Sequence, residues 1–332
     1  MGPKALANRA HMTKRGLQTT SAIAPESDDD TLAFVDTVCG SGEEWKSTLI
    51  SYRLRDEFQA DWKAEVGHWL LFARRAGFLP QIEHLIANRA KPYAAMALPD
   101  GRPDPNDAGH RILAQILAPA QVAYYLVRNG WSFVEWEPSV PTGDVDLRMR
   151  AVSGQLVDIQ VKASDVPGRV HGQQRTDGEI DEHVQAGMEK AIEQISFAPG
   201  PARIVVATPQ RTWPMSRQPN PIASQMIGST AGYGKGVVIL YEKSRGLFAS
   251  HAGTKVSAAM ILDLIRGVNT KYYGCTVFLN PWVEPTGTLA ANDFPAAAVC
   301  LLKDGFFEWQ GSPGFCYVVP KGTRYVASPD GV

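Results

Sequence analysis

The stretch GDVDLRMRAVSGQLVDIQVKAS, residues 143–164, holds the densest set of side chains able to do chemistry. Side chains along a β-strand alternate between its two faces. With one strand over 144–150 and a second over 155–162, Asp144, Asp146 and Arg148 share a face of the first. Asp158, Gln160 and Lys162 share a face of the second, while Val145, Leu147, Met149, Val157, Ile159 and Val161 turn to a core. The short turn 151–154 enforces antiparallel pairing, which sets the two polar faces side by side. Three carboxylates, a carboxamide and an ammonium then crowd one surface of a sheet. Carboxylate oxygens at close range repel each other and invite a hard divalent cation, Mg²⁺ first and Mn²⁺ as its substitute. Such a cation polarises a phosphate and lowers the pKa of a water, and a nearby Lys stabilises charge developing on the phosphate. Phosphodiester hydrolysis is the reaction that uses this combination.

These residues need a scaffold, and the flanking sequence supplies an α/β one. A helix is expected from about 107 to 129, with Ile112, Ile116, Ala120, Ala123 and Val127 as its apolar stripe. Pro119 lies inside it, which allows a kink or two shorter helices, and Gly130 is a natural stop. A strand over 131–136 and the turn-rich EPSVPTG lead into the two polar strands. A second amphipathic helix follows over 179–197, with Val184, Met188, Ile192 and Ile195 on one side, and then a buried-looking strand over 202–207. The order is helix, three strands, helix, strand.

That order, with Asp146 between apolar residues in VDL and Gln160 and Lys162 in QVK on the next strand, resembles the PD-(D/E)XK nuclease superfamily over residues 107–215. Gln160 stands where most members have an acid, and in this the chain is similar to the Gln-X-Lys variant of Mrr-like restriction nucleases. The resemblance implies a restriction-endonuclease-like core and a metal-dependent hydrolase of DNA phosphodiesters, an endonuclease rather than an exonuclease. It implies Asp146, Gln160 and Lys162 as the catalytic set, with Asp146 and Gln160 on Mg²⁺ or Mn²⁺ and with Asp158 and Asp144 as further metal ligands. Family members often carry a Glu on the first helix, and Gln121 is the residue nearest that place. A homodimer is compatible with cutting two strands. Restriction, repair and mobile-element roles all suit the class. Two alternatives stay open: a catalytically degenerate nuclease fold that binds DNA or scaffolds a complex, and a nuclease toxin or effector. Plainer roles also stand beside the sharp ones, Asp144 as a turn residue after Gly143 and Asp158 as a cross-strand partner of Arg148 or Arg150.

The remaining sequence frames this core. The loop 164–178 carries Arg169, His171 and Arg175 among glycines, a composition suited to phosphate-backbone contact as well as to a plain solvated connection. Residues 1–30 read as a flexible polar tail and 31–100 as a helical domain, including helices over 49–58 and 62–76. For 216–332, a mixed α/β region, strands are expected over 236–241, 246–250, 276–279, 296–302 and 315–319, with a helix over 255–267. Whether this region is separate or extends the same sheet stays open. The 332 residues are 44% hydrophobic and 20% charged with a net charge of −1, which excludes a uniformly basic nucleic-acid coat but not a local basic groove. Cys39, Cys275, Cys300 and Cys316 form no CxxC pair, so a zinc site is not expected and reduced cytoplasmic thiols are. No apolar run approaches the ~18–20 residues that span a bilayer, so no membrane partner is expected.

Overall fold

A computed structural model of the chain describes residues 34–35, 37–38, 59–90, 108–140, 145–164, 177–195, 202–209, 238–241, 246–250, 252–266, 271–283, 287–303, 306–310 and 324–327. Helix α1 (Gln59–Ala76) ends where Gly77 takes φ +86°. The N–H groups of Gly77 and Phe78 then donate to Arg74 O and Ala73 O, which satisfies carbonyls the helix would leave open. Helix α2 (Leu79–Leu85) follows at once, with a proline in its first turn and a π-helical turn, Ile86–Ala90, behind it. Helix α3 (Ala108–Arg128) runs 21 residues through Pro119 as one element. The missing hydrogen bond at Pro119 is offset by burial on both sides of it, at Ile116, Leu117, Ala118, Ala120, Val122 and Ala123. Gly130 (φ +90°) closes α3 as expected, its own N–H and that of Trp131 returning to Val127 O and Leu126 O.

The strands are β1 (Ser132–Trp136), β2 (Leu147–Arg150), β3 (Leu156–Ser164), β4 (Ala202–Pro209), β5 (Val238–Tyr241), β6 (Ala258–Arg266), β7 (Lys271–Leu279), β8 (Ala298–Lys303), β9 (Phe306–Gln310) and β10 (Arg324–Ala327). Helix α4 (Asp177–Ile195) connects β3 to β4. The described strands form one mixed sheet of ten, in the order β1-β2-β3-β4-β6-β7-β8-β9-β10-β5. β1, β2 and β3 pair antiparallel, β3 and β4 parallel across the connection through α4, and β6 joins β4 in parallel. The chain is therefore a mixed α/β protein in which the C-terminal region extends the same sheet.

Two apolar layers sandwich this sheet. On one face Leu147, Met149, Val157, Ile159, Val161, Ile204, Val206 and Met260 pack with α3, with Trp69 and Phe72 of α1, with Ile82 of α2 and with Phe78 between those two helices. The helical residues before 100 thus share one core with the strands, and Val35 and Val38 are buried in it too. On the other face Met188, Ala191, Ile192 and Ile195 of α4 cover Val205, Ala207, Ala259, Ile261 and Phe278.

The C-terminal expectations need correction in two places. The helix expected over 255–267 is a 3₁₀ turn, Gly253–Lys255, followed by strand β6. Val256, Ala258, Ala259, Met260, Ile261 and Leu262 are buried, and they feed both layers. A strand covered on both faces reads as a continuous apolar run, which periodicity alone cannot tell from a buried helix. The strand expected over 246–250 is a short 3₁₀ turn, Leu247–Ala249, closed by Ser250, whose hydroxyl donates to Leu247 O at 2.7 Å and accepts from Gly253 N–H. The expected elements over 49–58 and 315–319 lie outside the described residues. Burial pushes the thiols of Cys275 and Cys300 up to about 12, so both are held protonated. Among the described residues no helix is long and apolar enough to cross a membrane.

Candidate functional site

The β2–β3 hairpin carries the polar strands, and Gly154 (φ +89°) makes its turn. Leu147 lies opposite Ile159 and Arg148 opposite Asp158. One step further the regular ladder ends. The Asp146 N–H donates to Ile159 O at 3.0 Å, and its carbonyl accepts from Glu137 N–H at 2.8 Å. The Val161 N–H donates to the Asp146 carboxylate, Oδ2, at 2.6 Å. A side-chain oxygen thus takes the place of a ladder carbonyl, and three backbone hydrogen bonds fix Asp146. Glu137 holds φ +43°, a left-handed conformation that costs about 1 kcal/mol for a non-glycine residue. That strain turns its N–H back onto Asp146.

The break explains where alternation fails. Leu147 and Met149 point into the α3 layer as expected, but Val145 packs with the α4 layer instead. β2 begins at Leu147, later than the expected 144, and Asp144 lies outside the described residues.

β3 alternates as expected, with Val157, Ile159 and Val161 toward α3 and Asp158, Gln160 and Lys162 toward α4. Beside them on β4 stand Arg203, Val205 and Ala207, and the last two pack under α4. The polar face is consequently interior: Asp158 is 0% exposed and Gln160 1%, while Lys162 and Asp146 are half-buried.

The two buried residues are treated differently. Asp158 accepts from Arg148 Nε at 2.7 Å and from Arg148 Nη2 at 3.2 Å, the two-point geometry of a guanidinium–carboxylate pair. Arg148 Nη1 reaches half-exposed Glu135 at 3.7 Å. The hydrogen bonds to Asp158 raise the Arg148 pKa above its usual value, more than burial lowers it. Asp158 therefore occupies the cross-strand role rather than standing open as a metal ligand. Gln160 Oε1 is buried with no hydrogen-bond partner. An acceptor in that condition costs about 1–3 kcal/mol of folding free energy, so the fold retains it at a disadvantage.

Gln121 is buried in α3, the helix that packs on the Val157, Ile159 and Val161 face of β3. Arg169, His171 and Arg175 lie outside the described residues. Gln194, on α4, was not singled out from sequence, yet its Oε1 is also buried without a partner. A polar residue flanking an apolar helical stripe reads as solvent-facing, so no signal marked it.

The hairpin thus carries a carboxylate fixed by three backbone hydrogen bonds where the ladder ends, and β3 carries an unsatisfied amide oxygen at Gln160 and a half-buried lysine two residues further on. Among the described residues no three His, Cys, Asp or Glu side chains group as metal ligands. No family model, curated protein or solved structure matches the chain.

Proposed function

We propose that this protein is a metal-dependent nuclease acting on DNA phosphodiesters, built on a restriction-endonuclease-like core formed by α3, β1–β3, α4 and β4. The observation that carries this reading is the unpartnered, buried Oε1 of Gln160 beside a carboxylate pinned by the Val161 N–H. An oxygen left without a donor is complementary to a cation, and Asp146 supplies the charge next to it. The donor set fits a hard divalent ion, Mg²⁺ or Mn²⁺, held by Asp146 and Gln160. When bound, such an ion polarises a phosphate and acidifies a water. The chain's own contribution is positional. Three backbone hydrogen bonds orient Asp146, burial under α4 keeps bulk water from Gln160, and the Lys162 ammonium sets positive charge where a phosphate becomes more negative.

The test is cleavage of plasmid and linear DNA with Mg²⁺, Mn²⁺ or EDTA. Metal-dependent nicking is expected, with Asp146→Ala and Lys162→Ala each lowering it by about 10²-fold or more. Cleavage that is indifferent to EDTA or survives both substitutions would remove this reading.

A second reading has its own observation. Asp158 is spent on Arg148, and a neutral amide stands at 160. This favours a nuclease fold that binds DNA without cutting it. Metal-independent DNA binding with no cleavage in any metal would select it.

A further inference from the structure

Among the described residues Glu137 alone combines a side chain with a left-handed backbone, at φ +43°. In that conformation an L-residue brings Cβ against the following carbonyl. Pro138, next in the chain, pushes the residue before it toward extended backbone instead. The position is therefore disfavoured twice, and burial does not compensate, because Glu137 is exposed. Its neighbours hold it in place. Trp136 is buried and stacks on Phe78 with ring centroids 4.5 Å apart, and Pro138 is buried as well. Strained residues of this kind persist only where their surroundings over-determine them, and they cluster at functional sites.

The hydrogen bond that this turn makes goes to Asp146. In a regular antiparallel pair a residue directs its N–H and its C=O to the same neighbour. Asp146 divides them, donating to Ile159 O on β3 at 3.0 Å and accepting from Glu137 N–H at 2.8 Å on the β1 side. Its backbone is pinned from both sides, and that backbone aims the carboxylate that accepts the Val161 N–H. We propose that Glu137 is a positioning residue for the Asp146 carboxylate, acting through its left-handed backbone rather than through its own side chain. The inference rests on the nuclease reading and adds to it a residue outside the polar strands. A relaxed, extended residue at 137 would carry its N–H away from Asp146 O and release one of the two pins. Activity then follows the ease with which residue 137 takes positive φ, not its charge. Glycine takes it freely, asparagine more readily than most residues, and a β-branched residue hardly at all.

The experiment compares Glu137→Gly, Glu137→Asn, Glu137→Ala and Glu137→Val in the full chain. Two quantities are read, the kcat and KM of Mg²⁺-dependent DNA cleavage and the amide proton shift of Val161 in a ¹H–¹⁵N TROSY spectrum. Glycine and asparagine should keep kcat within about threefold of wild type and leave the Val161 amide unmoved, although both remove the carboxylate. Glu137→Val should lower kcat by about tenfold or more with KM for DNA changed less than about threefold, the pattern of an interaction lost from the transition state. It should also move the Val161 amide upfield as the bond to Asp146 weakens. Glu137→Ala should fall between these and carries the test if the valine variant does not fold. Equal loss of kcat in the glycine and valine variants would assign the role to the carboxylate and overturn the backbone reading. A Val161 amide unmoved in folded Glu137→Val, or in Glu137→Ala, would overturn the positioning whatever the cleavage rates are. A wild-type chain that cuts DNA in no metal would remove the nuclease reading alone, because the Val161 shift still decides whether Glu137 places the carboxylate.

Discussion

Two neighbouring steps of one hairpin treat buried polarity in opposite ways. At the step of Arg148 and Asp158, each formal charge meets its opposite in a two-point pair, and the buried carboxylate is satisfied. At the step of Asp146 and Gln160, the regular ladder stops, a carboxylate replaces a backbone carbonyl, and an amide oxygen is left with no donor. Both steps lie on the same two strands, and both buried members, Asp158 and Gln160, face α4. The closed step is what a fold does with polar groups it must bury. The open one is what a fold tolerates when something outside the chain completes it, and the contrast separates a structural pair from a candidate site more sharply than residue type does.

Arg148→Met should break the closed step hardest. It takes both guanidinium hydrogen bonds from a fully buried carboxylate, and loss of about 3 kcal/mol is expected, the low end for a broken buried pair because Arg148 keeps 17% of its side-chain exposure. Urea denaturation measures it. Replacing both partners, Arg148→Met with Asp158→Leu, should recover most of that loss. A double variant as unstable as the single one would show that the pair does more than satisfy itself.

At the open step the sign reverses. Gln160→Met removes an unsatisfied acceptor and should raise stability by about 1 kcal/mol while abolishing metal-dependent cleavage. A loss of stability instead would mean that Oε1 has a partner within the chain, and the contrast between the steps would collapse.

The smallest effect belongs to the rim. Glu135 is half-exposed and 3.7 Å from Arg148, so Glu135→Gln should change stability by no more than about 0.5 kcal/mol. A larger change would extend the closed pair into a three-member network.

Much of the core and part of the site were legible in the residues themselves. Gly130 ended its helix because φ +90° suits a residue without Cβ, and the alternation in VDIQVK set the two faces of β3 without help from the rest of the molecule. Illegible from sequence were features that depend on what lies above a face. Val145 departs from strict alternation because the ladder breaks at Asp146, and no local pattern announces that break. AAMILDLI reads equally as a buried helix or a central strand, and only pairing with β4 and β7 selects the strand. Pro119 left open a kink or two shorter helices, and α3 forms as one element with buried residues on both sides of it.

The sequence by itself determined which residue types occupy one face of the hairpin and which occupy the other, because a strand's period of two is a local geometric property. Tertiary structure alone decided which of those polar groups are satisfied. α4 covers the face and removes water, so every donor and acceptor beneath it must be paired within the protein or left open. Arg148 reaches Asp158, no described donor reaches Gln160 Oε1, and that difference is a matter of three-dimensional neighbours rather than of spacing along the chain.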